Sequence, residues 1–224
     1  MKIKGTEESL STPFKRHEVD EYERKRYRGL DQKLVHARER RIMEKILRRF
    51  EPDLSQTLDI PCGYGRFSDL LLKKGFTLIS SDISLAMTER ALERSIKTGL
   101  HFGIVADARK GLPFKERVFG LVVSMRFFHH IHNKKGREFI LSEFSRVAGE
   151  LAIISYYKKN FLHLLQRKFR RKIKRSRTRI RMISKREVVD EIEEAGFRVL
   201  KIFPLIRGLH SHHIAVLEKI KTSP

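Results

Sequence analysis

The sequence predicts an α/β fold: a doubly wound sheet of about seven strands, mostly parallel, with helices on both faces. Short apolar runs alternate with amphipathic stretches along the chain, which is the pattern of parallel strands joined by helices. Two further strands, 197–206 and 212–219, follow the last helix with only a short gap between them. This gap predicts a C-terminal antiparallel hairpin.

Length and composition favour one main domain. A chain of 224 residues with 40% hydrophobic residues is long enough for one well-buried core. We expect the main domain over 34–219, an arm and helix over 1–33, and a tail over 220–224. The single cysteine, Cys62, excludes an internal disulfide. Without an apolar leader or spanning run, a cytoplasmic protein is expected, with possible peripheral contact at the inner face of the membrane.

Two helices are predicted before the first strand, over 17–30 and 33–50. In the second, apolar residues recur at helical spacing opposite Arg and Lys, so one face should pack on the core. Pro52 then stops this helix and leads into the first strand.

The later elements alternate regularly. After a strand that ends at Asp59, the predicted elements are helix 67–74, strand 76–82, helix 84–99, strand 101–108, strand 119–125, helix 134–148, strand 150–157 and helix 184–196. Ser84 is a favourable N-cap, and Gly75, Gly99 and Gly196 stand where three of these helices stop. The run FGLVVSM is apolar enough for a central parallel strand.

The stretch from Thr57 to Phe67, TLDIPCGYGRF, has the form of a buried strand, a turn with two glycines and the start of a helix. Gly63 and Gly65 permit a tight turn, and free backbone N–H groups at such a turn bind polar or charged ligands. Two-glycine turns are common, so this motif needs support from the rest of the chain before it indicates a cofactor site.

Acidic residues at the ends of the next two strands give that support. Asp82 lies 23 residues after Asp59, close to the spacing at which nucleoside-binding α/β folds place a carboxylate for ribose hydroxyls. Asp107 ends the third strand. Each residue alone could be an N-cap or a turn residue. Together, at successive strand ends, they predict a cofactor crevice.

In this order, the motifs LDIPCGYGRF, SSDIS, VADA, LVVSMRFFHHI and EAGF resemble those of the class I S-adenosylmethionine-dependent methyltransferases, roughly over 34–219. The resemblance implies a Rossmann-like fold and S-adenosyl-L-methionine as cofactor. Two positions depart from the family pattern: Pro61 stands where glycine is frequent, and Gly120 stands where the fourth strand often has Asp.

The resemblance also implies the cofactor-binding residues. In the family the opening motif wraps the amino-acid end of the cofactor, the acid after the second strand holds the ribose, and the Asp after the third takes the adenine amino group. The residues expected to bind the cofactor are Asp59, Pro61, Gly63, Gly65, Arg66, Asp82, Ile83, Asp107, Ala108 and Met125.

Two histidine clusters are expected at the ligand-bearing edge of the sheet: His129, His130 and His132, and His210, His212 and His213. Imidazole is a common metal ligand, but the spacing matches no helical i, i+4 pair, and no metal is predicted. We expect the histidines to line the acceptor pocket, with His130 or His129 as the catalytic general base if the acceptor is a hydroxyl. For any single histidine, packing or solvent exposure is the alternative.

The net charge of +22 predicts an anionic partner or surface. More than half of it falls between Lys158 and Arg181, where 12 Lys and Arg occur without an Asp or Glu. We expect a basic helical insertion over about 158–183, above the acceptor site. Its apolar stripe is typical of a membrane-surface helix, while a lid docked on the enzyme and a holder of RNA phosphates are alternatives.

The predicted function is methyl transfer to a small amphiphilic or membrane-associated acceptor, such as a quinone-like ring, a lipid or a glycolipid intermediate. Direct in-line transfer mainly requires alignment of the acceptor with the activated methyl group. An RNA methyltransferase that holds phosphates with the basic segment is the alternative. A non-catalytic module that keeps the fold is a second alternative, against which the intact Asp82 and Asp107 argue.

Overall fold

The computed structural model describes residues 13–26, 29–50, 56–94, 99–159, 181–206 and 211–220. In these residues the chain forms, in order, α1 (Arg16–Arg26), α2 (Leu30–Phe50), β1 (Gln56–Asp59), α3 (Ser68–Lys73), β2 (Thr77–Asp82), α4 (Leu85–Glu93), β3 (His101–Val105), β4 (Phe119–Ser124), a 3-10 turn (Phe128–His130), α5 (Lys134–Val147), β5 (Ala148–Tyr157), α6 (Lys185–Glu194), β6 (Phe197–Pro204) and β7 (His212–Lys219).

The strands form one seven-stranded sheet in the order β3-β2-β1-β4-β5-β7-β6. The first five strands along the chain pair in parallel, and β7 is antiparallel to both β5 and β6. The predicted mixed sheet with a C-terminal hairpin is therefore confirmed. The strand order reverses between β1 and β4, where a doubly wound sheet opens a ligand crevice at its carboxyl edge.

Helices cover both faces of the sheet because the central strands are apolar on both sides. In β4, Leu121 and Val123 belong to the core under α2 and α3, whereas Val122 belongs to the core under α5 and α6. This division follows from the alternation of side chains along a strand. The apolar face predicted for α2 contributes Met43, Ile46 and Leu47 to the first of these cores.

Local capping explains where several helices begin. Ser84 caps α4, as predicted, by accepting a hydrogen bond from the Met87 N–H at 3.3 Å. Ser184 and Glu187 form a reciprocal capping box at the start of α6. Helix α1 ends at Arg26, earlier than the predicted residue 30, and α2 begins at Leu30, earlier than the predicted residue 33. The predicted boundary between 33 and 34 falls inside α2.

Helix α1, together with Phe14 before it, packs close to the glycine turn. The ring of Tyr22 contacts Phe14 at 5.5 Å and Tyr64 at 6.1 Å between centroids, and Ser84 Oγ donates to the Phe14 carbonyl at 2.8 Å. The predicted basic insertion falls largely on 160–180, and His210 falls on 207–210, so both lie outside the described residues. Among the helices that are described, none is long and apolar enough to cross a membrane.

Candidate cofactor site and acceptor edge

The glycine turn after β1, residues 60–66, is tied to the neighbouring strands by backbone hydrogen bonds. The Ile60 N–H donates to the Val123 carbonyl of β4 at 2.8 Å, and the Cys62 N–H donates to the Ser81 carbonyl of β2 at 2.9 Å. The Ile60–Pro61 peptide bond is cis, and Pro61 is half-buried. The turn is therefore held at the carboxyl ends of three adjacent strands.

The structure requires glycine at the two positions of this turn for different reasons. Both have positive φ, +53° at Gly63 and +75° at Gly65. A Cβ on Gly65 would lie 2.8 Å from Cα of Ala91, so α4 packs directly on this residue. A Cβ on Gly63 would meet no atom within 4 Å. Gly65 therefore serves packing, whereas Gly63 leaves space beside its backbone for a ligand.

Asp82 joins the end of β2 to the glycine turn. One carboxylate oxygen accepts the Gly63 N–H at 3.0 Å, and the other accepts the Ser84 N–H at 3.0 Å. Burial raises the pKa of Asp82, and the backbone hydrogen bonds from Ser84, Gly63 and Ile83 act in the opposite direction. The carboxylate is thus oriented by backbone groups of the two motifs that the sequence singles out.

Asp59 lies completely within the core at the end of β1. Its burial, reinforced by the nearby charge of Asp82, raises its pKa from 3.8 to about 8, while Arg66 acts in the opposite direction. A protonated Asp59 at neutral pH avoids two adjacent buried negative charges.

Asp107, expected at the adenine end, follows β3 and pairs with Arg109. Its carboxylate accepts from Arg109 Nε and Nη2, both at 2.8 Å, and from the Arg109 N–H at 3.0 Å. Burial would raise the pKa of Asp107, but these hydrogen bonds hold it below its usual value. Ala108 and Met125, also expected near the cofactor, are buried.

A carboxylate is buried on α2, where it bonds both the glycine turn and the residues after β4. Glu39 has no solvent exposure and lies one helical turn from Met43, on the face that packs on the sheet. Arg66 donates to one of its oxygens. Arg126, directly after β4, donates from Nε to the other at 2.7 Å, and His212 Nδ1 lies 3.2 Å from that same oxygen. We call these four residues the Glu39 cluster.

The protonation states in the Glu39 cluster follow from burial and charge. Burial would raise the pKa of Glu39, but the adjacent His212 ring and the positive charges of Arg66 and Arg126 hold it well below its usual range. Burial lowers the pKa of His212, although Glu39 opposes this shift. The cluster therefore contains one carboxylate, two guanidinium groups and a neutral imidazole near pH 7.

Four aromatic rings continue from the cluster along the sheet edge formed by the carboxyl ends of β4 and β5 and the amino end of β7. Ring centroids are 3.9 Å apart between His130 and His129, 4.9 Å between His129 and Tyr157, and 4.9 Å between Tyr157 and His212. Tyr157 and His212 stack because they are opposite each other in the β5–β7 pairing. We call this row the ring ladder.

A buried ion pair positions the end of the ring ladder that contains His129 and His130. Arg137 of α5 donates to Glu191 of α6 at 2.9 Å through Nε. Its Nη1 also donates to the carbonyls of Ile131 and His132, each at 3.2 Å. The loop that carries His129 and His130 is thereby attached to both helices on that face.

The structure brings together only part of the predicted histidine set. Tyr157 lies between His129 and His212, and His130 contacts His129. His213 lies apart from this row, because its ring contacts Tyr156, its partner in the β5–β7 pairing, at 5.6 Å between centroids. In the described part of the chain no group of three or more His, Cys, Asp or Glu is arranged to hold a metal ion.

Glu39, Arg126 and Tyr157 are absent from the sequence-based set of site residues. Glu39 had a readable signal, because it is an acidic residue on the otherwise apolar face of a predicted helix. Arg126 and Tyr157 had none, since an Arg after a strand and a Tyr at the end of an apolar run are ordinary. Their importance comes from the strands beside them.

The strand order, the glycine turn and the carboxylate at the end of β2 define a class I S-adenosylmethionine-dependent methyltransferase. The site suits this cofactor: space is open beside Gly63, the Asp82 carboxylate is held at the crevice, and the buried Ser124 hydroxyl at the end of β4 has no hydrogen-bond partner within the described residues. The cofactor supplies a methyl group that is already activated for transfer.

Comparisons with known proteins agree with this class. A family model described as a methyltransferase domain matches residues 34–202, and the chain belongs to that family. A stretch of 68 residues is 37% identical to the 18S rRNA (guanine-N(7))-methyltransferase of Bos taurus. That stretch is 30% of this chain and only 23% of the bovine protein.

Solved structures share the fold. Magnesium protoporphyrin IX methyltransferase from Synechocystis PCC 6803, with bound SAH, has a TM-score of 0.74 and 17% identity, over 91% of this chain and 94% of that one. A possible histamine N-methyltransferase from Thermotoga maritima has a TM-score of 0.65 and 20% identity, over 91% and 97%. A Methanosarcina mazei methyltransferase reaches 0.66 at 20% identity, over 78% and 97%.

Proposed function

We propose that this methyltransferase acts on a small amphiphilic acceptor with a flat, quinone-like ring. The ring ladder supports the proposal, because it lines the carboxyl edge on the side of the crevice away from the glycine turn. Flat rings pack favourably against such side chains in stacked or edge-on arrangements. Of the acceptors considered from the sequence, a quinone-like ring uses this surface better than a lipid or glycolipid chain.

The amphiphilic character is supported by where the basic segment leaves and rejoins the fold. Before it, the Lys158 N–H donates to the Ser211 carbonyl at 2.7 Å. After it, the Arg181 N–H donates to the His129 carbonyl at 3.0 Å, and the Ile183 N–H donates to the Tyr157 carbonyl at 2.9 Å. Both ends therefore lie beside the ring ladder. The sequence between them combines apolar and basic residues, which suits an acceptor with an apolar or anionic tail.

We propose direct in-line transfer, in which the protein aligns an acceptor lone pair with the methyl group and excludes water. The proposed cofactor contacts are the turn at Gly63 and the carboxylates of Asp82 and Asp107. For a hydroxyl acceptor, His130 at the outer end of the ring ladder is the proposed general base, with His129 as the neighbouring candidate.

The direct test is transfer of a labelled methyl group from S-adenosylmethionine to a panel of hydroquinones, catechols, aliphatic lipids and glycolipids. We expect product with the ring compounds. Tyr157→Leu should raise the KM for the ring acceptor by about tenfold and leave cofactor affinity unchanged, because it removes the middle of the ring ladder. Tyr156→Phe is the control and should behave as the parent. Labelling of aliphatic acceptors only would contradict the proposal.

RNA is a second candidate acceptor, favoured by the net charge of +22 and by the partial match to the bovine rRNA methyltransferase. It predicts tight RNA binding that weakens steeply with salt and is lost when residues 160–180 are replaced by a short Gly-Ser linker. The membrane alternative predicts that the same replacement abolishes salt-dependent binding to anionic liposomes. Filter binding and liposome sedimentation, each carried out on the parent protein and on the linker replacement, distinguish the RNA alternative from the membrane alternative.

A further inference from the structure

We propose that the β3 edge of the sheet pairs with the same edge of a second copy of this chain. The inference goes beyond the proposed function, because it concerns the assembly of the protein and not its acceptor. Three observations lead to it: β3 lacks the features that protect edge strands, its sequence fits its own antiparallel copy, and the charge around it is balanced.

The two edge strands of the sheet, β3 and β6, differ in protection. Edge strands of natural proteins usually carry charged residues, proline or a bulge, which discourage pairing with other chains. β6 has all three: Arg198, Lys201 and Pro204 lie in the strand, and its pairing with β7 shifts register between Val199 and Lys201. β3 has none, because HFGIV contains no Lys, Arg, Asp, Glu or Pro and pairs with β2 in unbroken register.

The side chains at β3 add an exposed apolar surface. Phe102 is 53% exposed and Val105 is 50% exposed, and Leu100, directly before the strand, is 64% exposed. Within the described residues, β2 is the only strand beside β3. Apolar surface next to an open strand edge is typical of a contact with another protein chain.

The contacts with β2 show which backbone groups of β3 point outward. The Leu100 carbonyl accepts the Leu78 N–H at 2.9 Å, and the Ala106 N–H donates to the Asp82 carbonyl at 3.0 Å. Successive residues of a strand direct their backbone groups to alternate sides. The even-numbered residues of β3 therefore face β2, and the odd-numbered ones, Gly103 among them, direct their N–H and C=O groups to the outer edge.

A second copy of β3 fits this edge in the antiparallel direction. When Gly103 of one copy lies opposite Gly103 of the other, on a two-fold axis, the outward backbone groups of the two strands face each other. Phe102 of each copy then lies opposite Ile104 of the other, on the same face of the joined sheet. Aromatic and β-branched residues are favourable cross-strand partners. The strand is therefore self-complementary.

The charge around β3 is balanced, although the chain has a net charge of +22. Helix α1 and residues 85–94, which form α4 and its C-cap, each contain equal numbers of acidic and basic side chains. An ion pair of Glu23 with Arg90 at 2.9 Å joins the two helices. Helix α4 in turn packs on β3, since a Cβ on Gly103 would lie 2.6 Å from the Thr88 side chain.

The segments that flank β3 add little charge. Residues 95–98 contribute one lysine, and Asp107 pairs with Arg109 after the strand, which leaves Lys110 as the remaining charge before residue 112. Charges farther away than about 10 Å are largely screened at ordinary ionic strength. Two copies therefore meet here with little repulsion, whereas a polyanion such as RNA gains little from this edge.

The test is sedimentation-velocity analysis of the full chain over a range of micromolar concentrations. One strand pair buries a small interface, so we expect a reversible dimer and not a permanent one. Phe102→Lys should raise the dissociation constant of the dimer about a hundredfold, because each dimer loses two buried phenyl groups. Phe139→Lys, which adds the same charge on α5 at a side chain that is 43% exposed, is the matched control and should dimerise as the parent. Both variants should bind SAH as the parent does, which shows that they are folded.

A second measurement uses the parent protein alone. In hydrogen–deuterium exchange, the amides of Gly103 and Val105 should exchange more slowly at concentrations where the dimer forms than after dilution. Added salt should tighten the dimer, because it screens the repulsion between two chains that each carry +22.

Three results would overturn the proposal. The first is a parent protein that stays monomeric at every concentration. The second is a Phe102→Lys variant that dimerises as tightly as the parent, because the copies would then meet at another surface. The third is slow exchange at Gly103 and Val105 that does not change with concentration, because another part of the same chain would then cover the edge. None of these results depends on which acceptor is methylated.

Discussion

The two sides of the crevice are built in different ways. On the proposed cofactor side, the key contacts join residues close in sequence: Asp82 receives the Gly63 N–H, 19 positions away, and Asp107 pairs with Arg109, two positions away. On the proposed acceptor side, Glu39, which also bonds Arg66 of the glycine turn, meets Arg126 across 87 positions. The first side orients its carboxylate with backbone groups, and the second depends on side chains that only the folded chain brings together.

This difference indicates which part of the crevice depends on the backbone and which part depends on the particular side chains of this chain. Backbone N–H groups are present whatever the side chains are, so a cofactor turn tolerates substitution around it. Contacts between side chains depend on residue identity, so the acceptor side can change specificity without altering the cofactor side. Substitutions on each side should therefore have separable effects, and four predictions test this.

The largest expected effect is on the Glu39 cluster. Glu39→Gln should lower the free energy of unfolding by about 3–5 kcal/mol, because it leaves two guanidinium groups partly buried without their carboxylate. Urea denaturation measures this change. The control is Glu44→Gln on the same helix, where the pair with Arg40 is half-exposed and should contribute under about 1 kcal/mol. Equal losses for the two variants would mean that the cluster adds no special stability.

The next effect is at the packing glycine. Gly65→Ala should destabilise the protein by roughly 2–4 kcal/mol, because a Cβ would lie 2.8 Å from Cα of Ala91 and φ is +75°. At Gly75 φ is +89°, but an added Cβ would meet no atom within 4 Å, so Gly75→Ala should lower the free energy of unfolding by only about 1 kcal/mol. Thermal and urea unfolding of both variants would show whether contact with α4 makes the difference.

A third prediction concerns cofactor affinity. Asp82→Asn should weaken SAH binding by about tenfold to a hundredfold, since it removes the charge that receives the Gly63 and Ser84 N–H groups. Titration calorimetry checks this, with Asp69→Asn on α3 as the control. Tyr157→Leu, on the acceptor side, should leave SAH affinity unchanged. A comparable loss in that variant would break the separation between the two sides.

The smallest effect is a pH dependence from Asp59. The unfolded chain releases this proton above about pH 4, whereas the folded protein keeps it up to about pH 8. The unfolded state therefore binds fewer protons in that window, and stability falls as pH rises through it. Asp59→Asn should remove this loss, so the stability difference between variant and parent should grow by roughly 1 kcal/mol between pH 6.5 and 7.5. Parallel stability curves for the two proteins would exclude a protonated Asp59.

Much of the fold was predictable because its signals are local. The alternation of apolar runs and amphipathic stretches predicted the strands and helices, and Ser84 and Gly75 marked helix ends from their own chemistry. The final hairpin was predicted from its short gap. Its placement was not, since nothing in the sequence of β7 shows that it lies between β5 and β6. That order depends on pairing energies along whole strands.

The candidate site divides in the same way. By itself the sequence determined the glycine turn, the acid that follows it at the expected spacing and the surplus of positive charge. Only the tertiary structure decided that Glu39 holds Arg66 and Arg126, and that Tyr157 joins His129 to His212. The physical reason is the separation along the chain of the residues that interact. Turns, caps and strand-end motifs are set by neighbouring residues, whereas a buried ion cluster and a row of rings exist only after packing removes water from residues far apart in the chain.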